Sequence, residues 1–237
     1  MSNTTWSVIF SSHDESILGA LRICIRKAPM TFIHDLRNEL ALQRWDDHRY
    51  YHHSRINQSL HLVSALSFLT AYALIFSDPV AAAVIGWLVA MTSRQIGHFF
   101  FEPKDYDHVN QATHEHKEAI KVGYNLRRKV VLMTIWALSP LLVWAQPDLF
   151  GLVTPHESLE SLARNTGLLW LVIGLVGLLF RTIHLFFIRD VRTGVVWALK
   201  ILTDPFHDVK LYWRAPIYLL RGELIDPMRH AQESSAT

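Results

Sequence analysis

Two motifs decide the fold of this chain, YHHSRINQSLH at residues 51–61 and RQIGHFFFE at residues 94–102, and between them two apolar stretches meet at Asp78-Pro79. This pattern predicts a helical hairpin. His61 stands seventeen residues before Asp78 and His98 nineteen after Pro79, which at about 1.5 Å per residue puts them roughly 26 and 28 Å from the bend. The two histidines are therefore expected at the same level of the hairpin.

Each arm of the hairpin carries three polar side chains at spacings that share one helix face. Imidazole and carboxylate groups in open arrangements suit non-haem Fe(II), and such sites also take Mn or Zn. The alternative interpretation is that these side chains cap helix ends and touch lipid headgroups. Because six such residues converge, the pattern favours a metal site. They are His53, Asn57 and His61 in the first arm and Gln95, His98 and Glu102 in the second.

The composition indicates an integral membrane protein. Half of the 237 residues are hydrophobic, and the mean hydropathy is +0.16. Uncharged runs occupy residues 58–77, 79–93, 130–147 and 165–180, and the second and fourth reach the roughly 20 residues of a span when extended to residues 101 and 188. The predicted fold class is an all-α integral membrane protein with four transmembrane helices and amphipathic cytoplasmic helices at both ends.

The distribution of positive charge predicts the orientation of the spans. Lys and Arg concentrate before residue 59, between residues 94 and 129 and after residue 180, whereas residues 146–166 hold one and the bend none. Since cytoplasmic loops carry the positive charge, both termini and the central loop are expected on the cytoplasmic side. The membrane is predicted to be the bacterial inner membrane or the endoplasmic reticulum.

Three segments are predicted along the chain. Residues 1–50 form an amphipathic cytoplasmic segment, residues 51–190 a four-span membrane domain with the histidine motifs, and residues 191–237 a cytoplasmic interfacial segment. The N-terminal segment is predicted either as helices that lie on the membrane surface or as a small soluble cap packed on the site. The net charge of +2 favours membrane lipids as partners and no nucleic acid. The single cysteine, Cys24, excludes an internal disulfide and a multi-thiolate metal site.

Polar residues beside the hairpin leave several roles open. His48 and His52 are four residues apart and share a helix face, either as added ligands or as a solvated pair. His207 and Asp208 add to the site only if the tail folds back. The basic run at residues 127–129 is explained as a cytoplasmic anchor of the next span, with a role in binding a substrate carboxylate as the alternative. Roles are also left open for His114, His116 and His184.

The motifs HxxxNxxxH at residues 53–61 and QxGHxxxE at residues 95–102, separated by a hydrophobic hairpin, resemble a family of small membrane proteins. These are the Fe(II)-dependent 2-hydroxy fatty acid dioxygenases of fatty acid α-oxidation. The resemblance covers residues 50–190 in architecture and residues 51–102 in motifs. It implies that one carbon is removed oxidatively from a long-chain 2-hydroxy fatty acid with O2, at iron held by histidines.

The resemblance also implies roles for individual residues. An α-hydroxy acid can chelate iron through its carboxylate and hydroxyl, which leaves a position for O2, and the acyl chain then lies among the spans. Carried over by motif position, the iron ligands are His53, His61 and His98, with Glu102 a ligand or an adjacent base, and Asn57 and Gln95 orient ligands or substrate.

Two other functions compete with this one. A di-iron membrane fatty acid hydroxylase or desaturase also places histidine clusters beside four spans, and it requires two irons per chain. A non-enzymatic membrane protein that binds lipid or haem is the other, and a Soret band would favour haem. The oligomeric state is not predicted.

Overall fold

The regular structure of the described chain is helical. The computed structural model describes residues 32–102, 105–108 and 110–228. In these residues β-type pairing is confined to two isolated bridges, Ser54–Ile225 and Asp107–Ala112. The predicted all-helical class is therefore confirmed. The first part of the predicted N-terminal amphipathic segment, before residue 32, and the tail after residue 228 lie outside the described residues.

The chain divides into two compact units, Met1–Leu42 and Gln43–Thr237. Of the first unit, residues 32–42 are described, and they are helical. The second unit begins with helical residues 43–51, here called α1. The structure therefore divides the chain before residue 43, whereas the sequence analysis drew this boundary after residue 50.

The helices after α1 include one with an irregular centre. Helix α3 is π-helical over Ile85–Met91 and α-helical on either side, an irregularity often found near functional sites. The bounds are α2 Arg55–Leu74, α3 Pro79–Phe100, α4 His114–Ile120, α5 Leu126–Ala145, α6 Leu159–Ile188, α7 Val191–Tyr212 and α8 Ala215–Leu220.

Asp78 and Pro79 separate α2 from α3. The Asp78 carboxylate accepts the Ala81 N–H at 2.9 Å, and Pro79 occupies the first helical position, where its missing N–H is not needed. The two helices pack against each other, and the ring centroids of His61 and His98 lie 5.0 Å apart. The predicted hairpin and its register are therefore confirmed.

Helix α2 is covered by α3, α7 and α8, which all pack against it. Its covered side is polar, because Asn57, Gln58, His61 and Ser64 are at most 1% exposed. The segment after residue 190, predicted as a separate interfacial cover, thus contributes α7 and α8 to the surroundings of α2. This packing places C-terminal residues beside the hairpin motifs.

Within the described residues, three helices are long and apolar enough to cross a membrane: α3, Arg127–Ala145 of α5, and α6. The sequence analysis predicted a fourth span at residues 58–77. Helix α2 does not reach the same hydropathy because its first half carries buried polar side chains. Helices α5 and α6 expose many large apolar side chains, as expected of surfaces that face lipid.

A tryptophan cluster joins α3, α5 and α6. The rings of Trp87 and Trp136 stack with centroids 5.5 Å apart. The indole N–H of Trp87 donates to the Trp170 carbonyl at 2.8 Å, and that of Trp170 donates to Ser139 Oγ at 2.8 Å. Buried indoles with satisfied N–H groups hold helices in a fixed register. The cluster thus fixes the depth of α3 relative to α5.

Candidate metal centre

Three histidines from separate parts of the chain converge. His52 precedes α2, His61 lies on α2, and His98 lies near the end of α3. The Nε2 atoms of His52 and His61 are 3.0 Å apart, and one nitrogen from each of the three rings lies within 4.8 Å of the others. His61 is fully buried and His52 is 2% exposed. This arrangement could hold a metal ion.

His52 reaches the other two rings because the chain leaves the helix between α1 and α2. Ser54 has extended backbone angles and caps α2, with its side chain accepting the Asn57 N–H, which is the usual role of serine at this position. The carbonyl of His52 accepts a hydrogen bond from Gln58 Nε2 at 2.8 Å. The backbone of His52 is thereby fixed to the first turn of α2.

The second ring nitrogen of each histidine faces an acceptor. Nδ1–H of His98 donates to the Glu102 carboxylate at 2.8 Å, and Nδ1–H of His52 donates to the Asp47 carbonyl at 2.8 Å. Nδ1 of His61 lies 3.6 Å from the Asp208 carboxylate and has no hydrogen-bond partner among the described residues. Hydrogen-bond partners fix the tautomer of metal-binding histidines. Nε2 is therefore the atom of His52 and of His98 that is available to a metal, and Nε2 of His61 lies beside that of His52.

Burial of His52 favours the uncharged form of its ring, which is the form that binds metals. Burial lowers the pKa of His52, and the neighbouring His61 lowers it further. At neutral pH the ring is thus uncharged, as a metal ligand must be. Nε2 of His52 and Nε2 of His61 lie at hydrogen-bond distance, 3.0 Å, so one ring can donate to the other when no metal is bound.

Among the described residues, the donor set consists of three histidines. Structural zinc sites close the coordination sphere with four protein ligands, whereas catalytic sites use three and leave a position open. Three neutral imidazoles suit zinc, copper, iron and nickel. The three histidines found among the described residues therefore match the number of protein ligands in a catalytic site.

His53, predicted as a ligand, lies outside this group. Its Nε2 contacts the Arg49 carbonyl and Asn110 Nδ2 and lies 3.5 Å from the Asp107 carboxylate. The prediction treated residues 53–61 as one helix, but α2 begins after Ser54, so the i, i+4, i+8 spacing does not extend back to His53. The residue that joins His61 and His98 is its neighbour, His52.

Glu102, predicted as a ligand or adjacent base, lies behind His98. One carboxylate oxygen accepts from His98 Nδ1, and the other accepts from Lys121 Nζ at 2.9 Å. Lys121 also contacts Glu118 at 3.1 Å. Both oxygens are thus engaged by protein groups. In this structure Glu102 orients His98 and connects it to Lys121.

Asn57 and Gln95, predicted to orient ligands or substrate, both line the contact between the arms or the cavity next to it. Asn57 Nδ2 donates to the Tyr51 carbonyl at 2.8 Å, and the Asn57 side chain abuts Gly97 of α3. Gln95 Nε2 contacts Met91 Sδ at 3.3 Å. Among the described residues, Gln95 Oε1 is buried without a hydrogen-bond partner.

Charged side chains of α7 surround the outer side of the centre. Lys200 Nζ contacts the carboxylates of Asp47 at 2.5 Å and Asp204 at 2.7 Å, and Arg94 contacts Asp208 at 3.3 Å. Burial alone would raise the pKa of Asp47, but the Lys200 ammonium outweighs it and holds the pKa well below its ordinary value. These pairs hold Asp208 beside His61.

A cavity of about 230 Å³ reaches the centre at His98. Its wall away from the histidines is apolar and aromatic, and its lining near them includes charged groups. The cavity is long enough along α3 to contact both Trp87 and His98, which are eleven residues apart. Other apolar lining residues are Phe68, Met91, Leu132, Met133, Ile173 and Leu178.

Sequence reasoning left open or missed three contributors to the centre. His52 was considered only beside His48, although Ser54, a strong N-cap residue directly after His53, indicated where α2 begins. Asp208 was tied to a tail that folds back, and α7 does fold back onto α2. The Asp47 carbonyl is a backbone atom, and no sequence signal marks it.

Comparison of this chain with protein-family models, with curated proteins and with solved structures found no match.

Proposed function

We propose that this chain is a metal-dependent membrane oxygenase that oxidises a long-chain 2-hydroxy fatty acid with O2. The observation that carries the proposal is that His98, which converges with His52 and His61, lines one end of a largely apolar cavity. A metal centre with an open position suits oxidation chemistry, and a cavity walled by aliphatic and aromatic side chains suits an acyl chain. A lipid-like substrate fits both features.

Iron is the proposed metal. Imidazole ligands suit Fe(II), and the motifs at residues 53–61 and 95–102 resemble those of the Fe(II)-dependent dioxygenases. When bound, Fe(II) supplies the activation of O2. The chain's own residues hold the three rings in place: Glu102 accepts the Nδ1 proton of His98, and the Asp47 carbonyl accepts that of His52.

The proposed topology has four spans with both termini on the cytoplasmic side, in the bacterial inner membrane or the endoplasmic reticulum. Support comes from α2, which runs beside α3 from the bend to the level of His61 and His98. If α3 crosses the membrane, α2 crosses with it, with its buried polar side chains against its neighbours and apolar side chains such as Val63 and Leu66 exposed. Its low hydropathy then reflects polar groups that face the protein.

The metal count separates this function from the di-iron hydroxylase or desaturase. Within the described residues, a single group of side chains, His52, His61 and His98, converges closely enough to hold a metal ion. A single set of ligands favours one metal ion per chain over two. Two irons per chain would favour the di-iron enzyme, and a Soret band would favour a haem protein.

The first experiment measures metal per chain in protein purified anaerobically in detergent and reconstituted with Fe(II). We expect about one iron in the wild type and loss of iron in His52→Ala, His61→Ala and His98→Ala. The matched control is His53→Ala, which removes the adjacent imidazole and is expected to keep the iron. Circular dichroism verifies that each variant retains its helices.

Iron loss in the three variants, with retention in His53→Ala, then justifies an assay of O2-dependent loss of 2-hydroxy fatty acid. If His53→Ala loses the iron and His52→Ala keeps it, the assignment of ligands is wrong. If the wild type binds no metal after reconstitution, the oxygenase proposal fails.

A further inference from the structure

Four cationic side chains line the cavity near the metal centre, and three of them have carboxylate partners. Lys121 contacts Glu102 and Glu118, Lys200 contacts Asp47 and Asp204, and Arg94 contacts Asp208. The fourth is Lys129, on the first turn of α5. Three of the four charges are therefore neutralised by the protein itself.

Lys129 has no carboxylate within ion-pair distance in the part of the chain that the structure describes. It lines the same cavity as His98, which belongs to the candidate metal centre. An unpaired ammonium in a protein interior is costly unless an anion joins it. The cavity therefore offers a place for an anionic group.

Gln95 supplies a complementary unpaired group on the neighbouring helix. Its Oε1 is buried without a hydrogen-bond donor among the described residues, and its side chain lines the same cavity as Lys129. Gln95 and His98 are three residues apart on α3 and thus share a face. A hydroxyl group of a ligand bound near His98 can satisfy this acceptor.

The tryptophan cluster shows that Lys129 and Gln95 lie at the same depth. Trp87 of α3 stacks on Trp136 of α5. Lys121, five residues before α5, contacts Glu102, two residues after α3, so the end of α3 and the start of α5 lie on the same side of the protein. Counted from the stacked pair, Gln95 is eight residues along α3 and Lys129 seven along α5, roughly 12 and 10 Å.

The same count places His98 roughly 16 Å from the stacked pair, one helical turn beyond Gln95. An ammonium at the end of the flexible lysine side chain reaches toward the centre. Between this level and Trp87, the cavity is lined by Met91, Leu132 and Met133. The polar end thus combines a cation, an acceptor and a metal centre, and the rest is apolar.

We infer that Lys129 binds the carboxylate of the substrate, that Gln95 accepts a hydrogen bond from its 2-hydroxyl group, and that the acyl chain extends toward Trp87. This inference rests on the proposed function for the class of ligand. It assigns to Gln95 the preference for a 2-hydroxy acid over an acid without the hydroxyl group. It assigns to Lys129 the preference for the acid over an alcohol without the carboxylate. Both are binding residues that position the head of the substrate next to His98.

The test measures the affinity of the purified full-length protein for 2-hydroxyhexadecanoate and for hexadecane-1,2-diol in a non-ionic detergent. We expect Lys129→Gln to weaken binding of the acid by about 10- to 100-fold, as for loss of a charge-assisted hydrogen bond, and to leave binding of the diol unchanged. Arg127→Gln is the matched control, because Arg127 is an exposed cation of the same helix. It should bind both probes as the wild type does.

A second variant tests the hydroxyl contact. Gln95→Leu should lower the affinity for 2-hydroxyhexadecanoate to about that for hexadecanoate, with the affinity for hexadecanoate itself retained. Equal affinities of Lys129→Gln and the wild type for the acid would overturn the assignment of the carboxylate site. Retained preference for the hydroxy acid in Gln95→Leu would overturn the assignment of the hydroxyl site.

Measurements on metal-free and on Fe(II)-loaded protein separate this inference from the proposed function. If Lys129→Gln weakens binding of the acid to metal-free protein but the Fe(II)-loaded wild type does not oxidise the acid, the carboxylate site is supported and the oxygenase proposal fails. If the wild type oxidises the acid but Lys129→Gln binds it as tightly as the wild type does, only the assignment of the carboxylate site fails. Failure of the wild type to bind the acid overturns the carboxylate site.

Discussion

Gly97 allows the two arms of the hairpin to approach closely. A Cβ atom at this position would overlap Oδ1 of Asn57 and lie 3.5 Å from Cδ2 of His61. Asn57 has little room to move, because it is fully buried and its Nδ2 is bonded to the Tyr51 carbonyl. A side chain at residue 97 therefore pushes α3 away from α2, and with it His98 away from His61.

We expect Gly97→Ala to lower the free energy of unfolding by about 1–3 kcal/mol, the usual cost of overpacking, and to weaken Fe(II) binding by about tenfold or more. Thermal unfolding in detergent and a metal titration measure the two effects. Gly86→Ala is the control on the same helix, since its Cβ would meet Ala71 and Phe68 only at 4.0 Å. Equal stability and metal affinity of the two variants would contradict this role of Gly97.

The levels of His61 and His98 could be predicted from the sequence, because span length and the Asp78-Pro79 bend fix them by simple geometry. The choice between His52 and His53 could not be made from periodicity. It depends on one backbone position, Ser54, where the helix begins, and a shift of one residue there exchanges the ring that faces His61. The helix start is the least certain part of any such prediction.

Among the elements, the extended segment 224–228 fixes the start of α2. The Leu224 carbonyl accepts the Arg55 N–H at 2.9 Å, and the Asp226 N–H donates to the His53 carbonyl at 2.8 Å. The Asp226 carboxylate accepts from Gln58 Nε2 at 2.8 Å and contacts Arg55 at 2.9 Å. Gln58 also binds the His52 carbonyl, so this segment supports the loop that carries His52.

Asp226→Asn should destabilise the protein by about 1–3 kcal/mol at pH 7, because it removes the charge that pairs with Arg55. Burial would raise the pKa of Asp226, but the hydrogen bonds from Gln58 and Met228 N–H and the charge of Arg55 lower it below its ordinary value. Its contribution is therefore present above the ordinary pKa of about 4 and is lost as the pH falls through the lower folded value.

Unfolding of the wild type and of Asp226→Asn, followed in detergent at pH 7 and in acid, measures this dependence. The two proteins should differ at neutral pH and converge in acid. Glu223→Gln removes an exposed carboxylate directly before segment 224–228 and should behave as the wild type. A difference between Asp226→Asn and the wild type that is constant with pH would contradict the role of the charge.

Tertiary contacts of α7 and of segment 224–228 lay beyond sequence reasoning. Asp208 and Asp226 follow His61 and Gln58 by well over a hundred residues, and no spacing rule relates them. The surroundings of helix α2 could not be predicted from the sequence either. Its polar face can meet water, lipid headgroups or protein, and the outcome depends on which helices cover it. Sequence patterns within each segment predicted the helices. The roles of the polar residues depend on which other helices pack against them.

For the molecule as a whole, the four-span proposal predicts which loops share a side of the membrane. Cysteines introduced at Ser77, in the bend, and at Glu157, between α5 and α6, should react with a membrane-impermeant maleimide from outside the cytoplasm. A cysteine at Asp105, between α3 and α4, should react only after permeabilisation. All three positions are exposed.

Replacement of the single cysteine by Cys24→Ser removes background labelling, and that variant is the control. Labelling of the Asp105 position in intact cells, or protection of the Ser77 position there, would contradict the topology. In the proposed topology, His52, His98 and Glu102 all lie at the cytoplasmic end of the membrane domain.

The long separation between the groups that build the centre bears on how the protein is made. His52 and His61 leave the ribosome early, yet Asp208 and Asp226, which support them, are translated only after α5 and α6 have been synthesised. Membrane insertion of the later helices therefore precedes completion of the site. Until that point a nascent chain contains all three histidines of the candidate metal centre but lacks the carboxylate beside His61 and the carboxylate that binds Gln58.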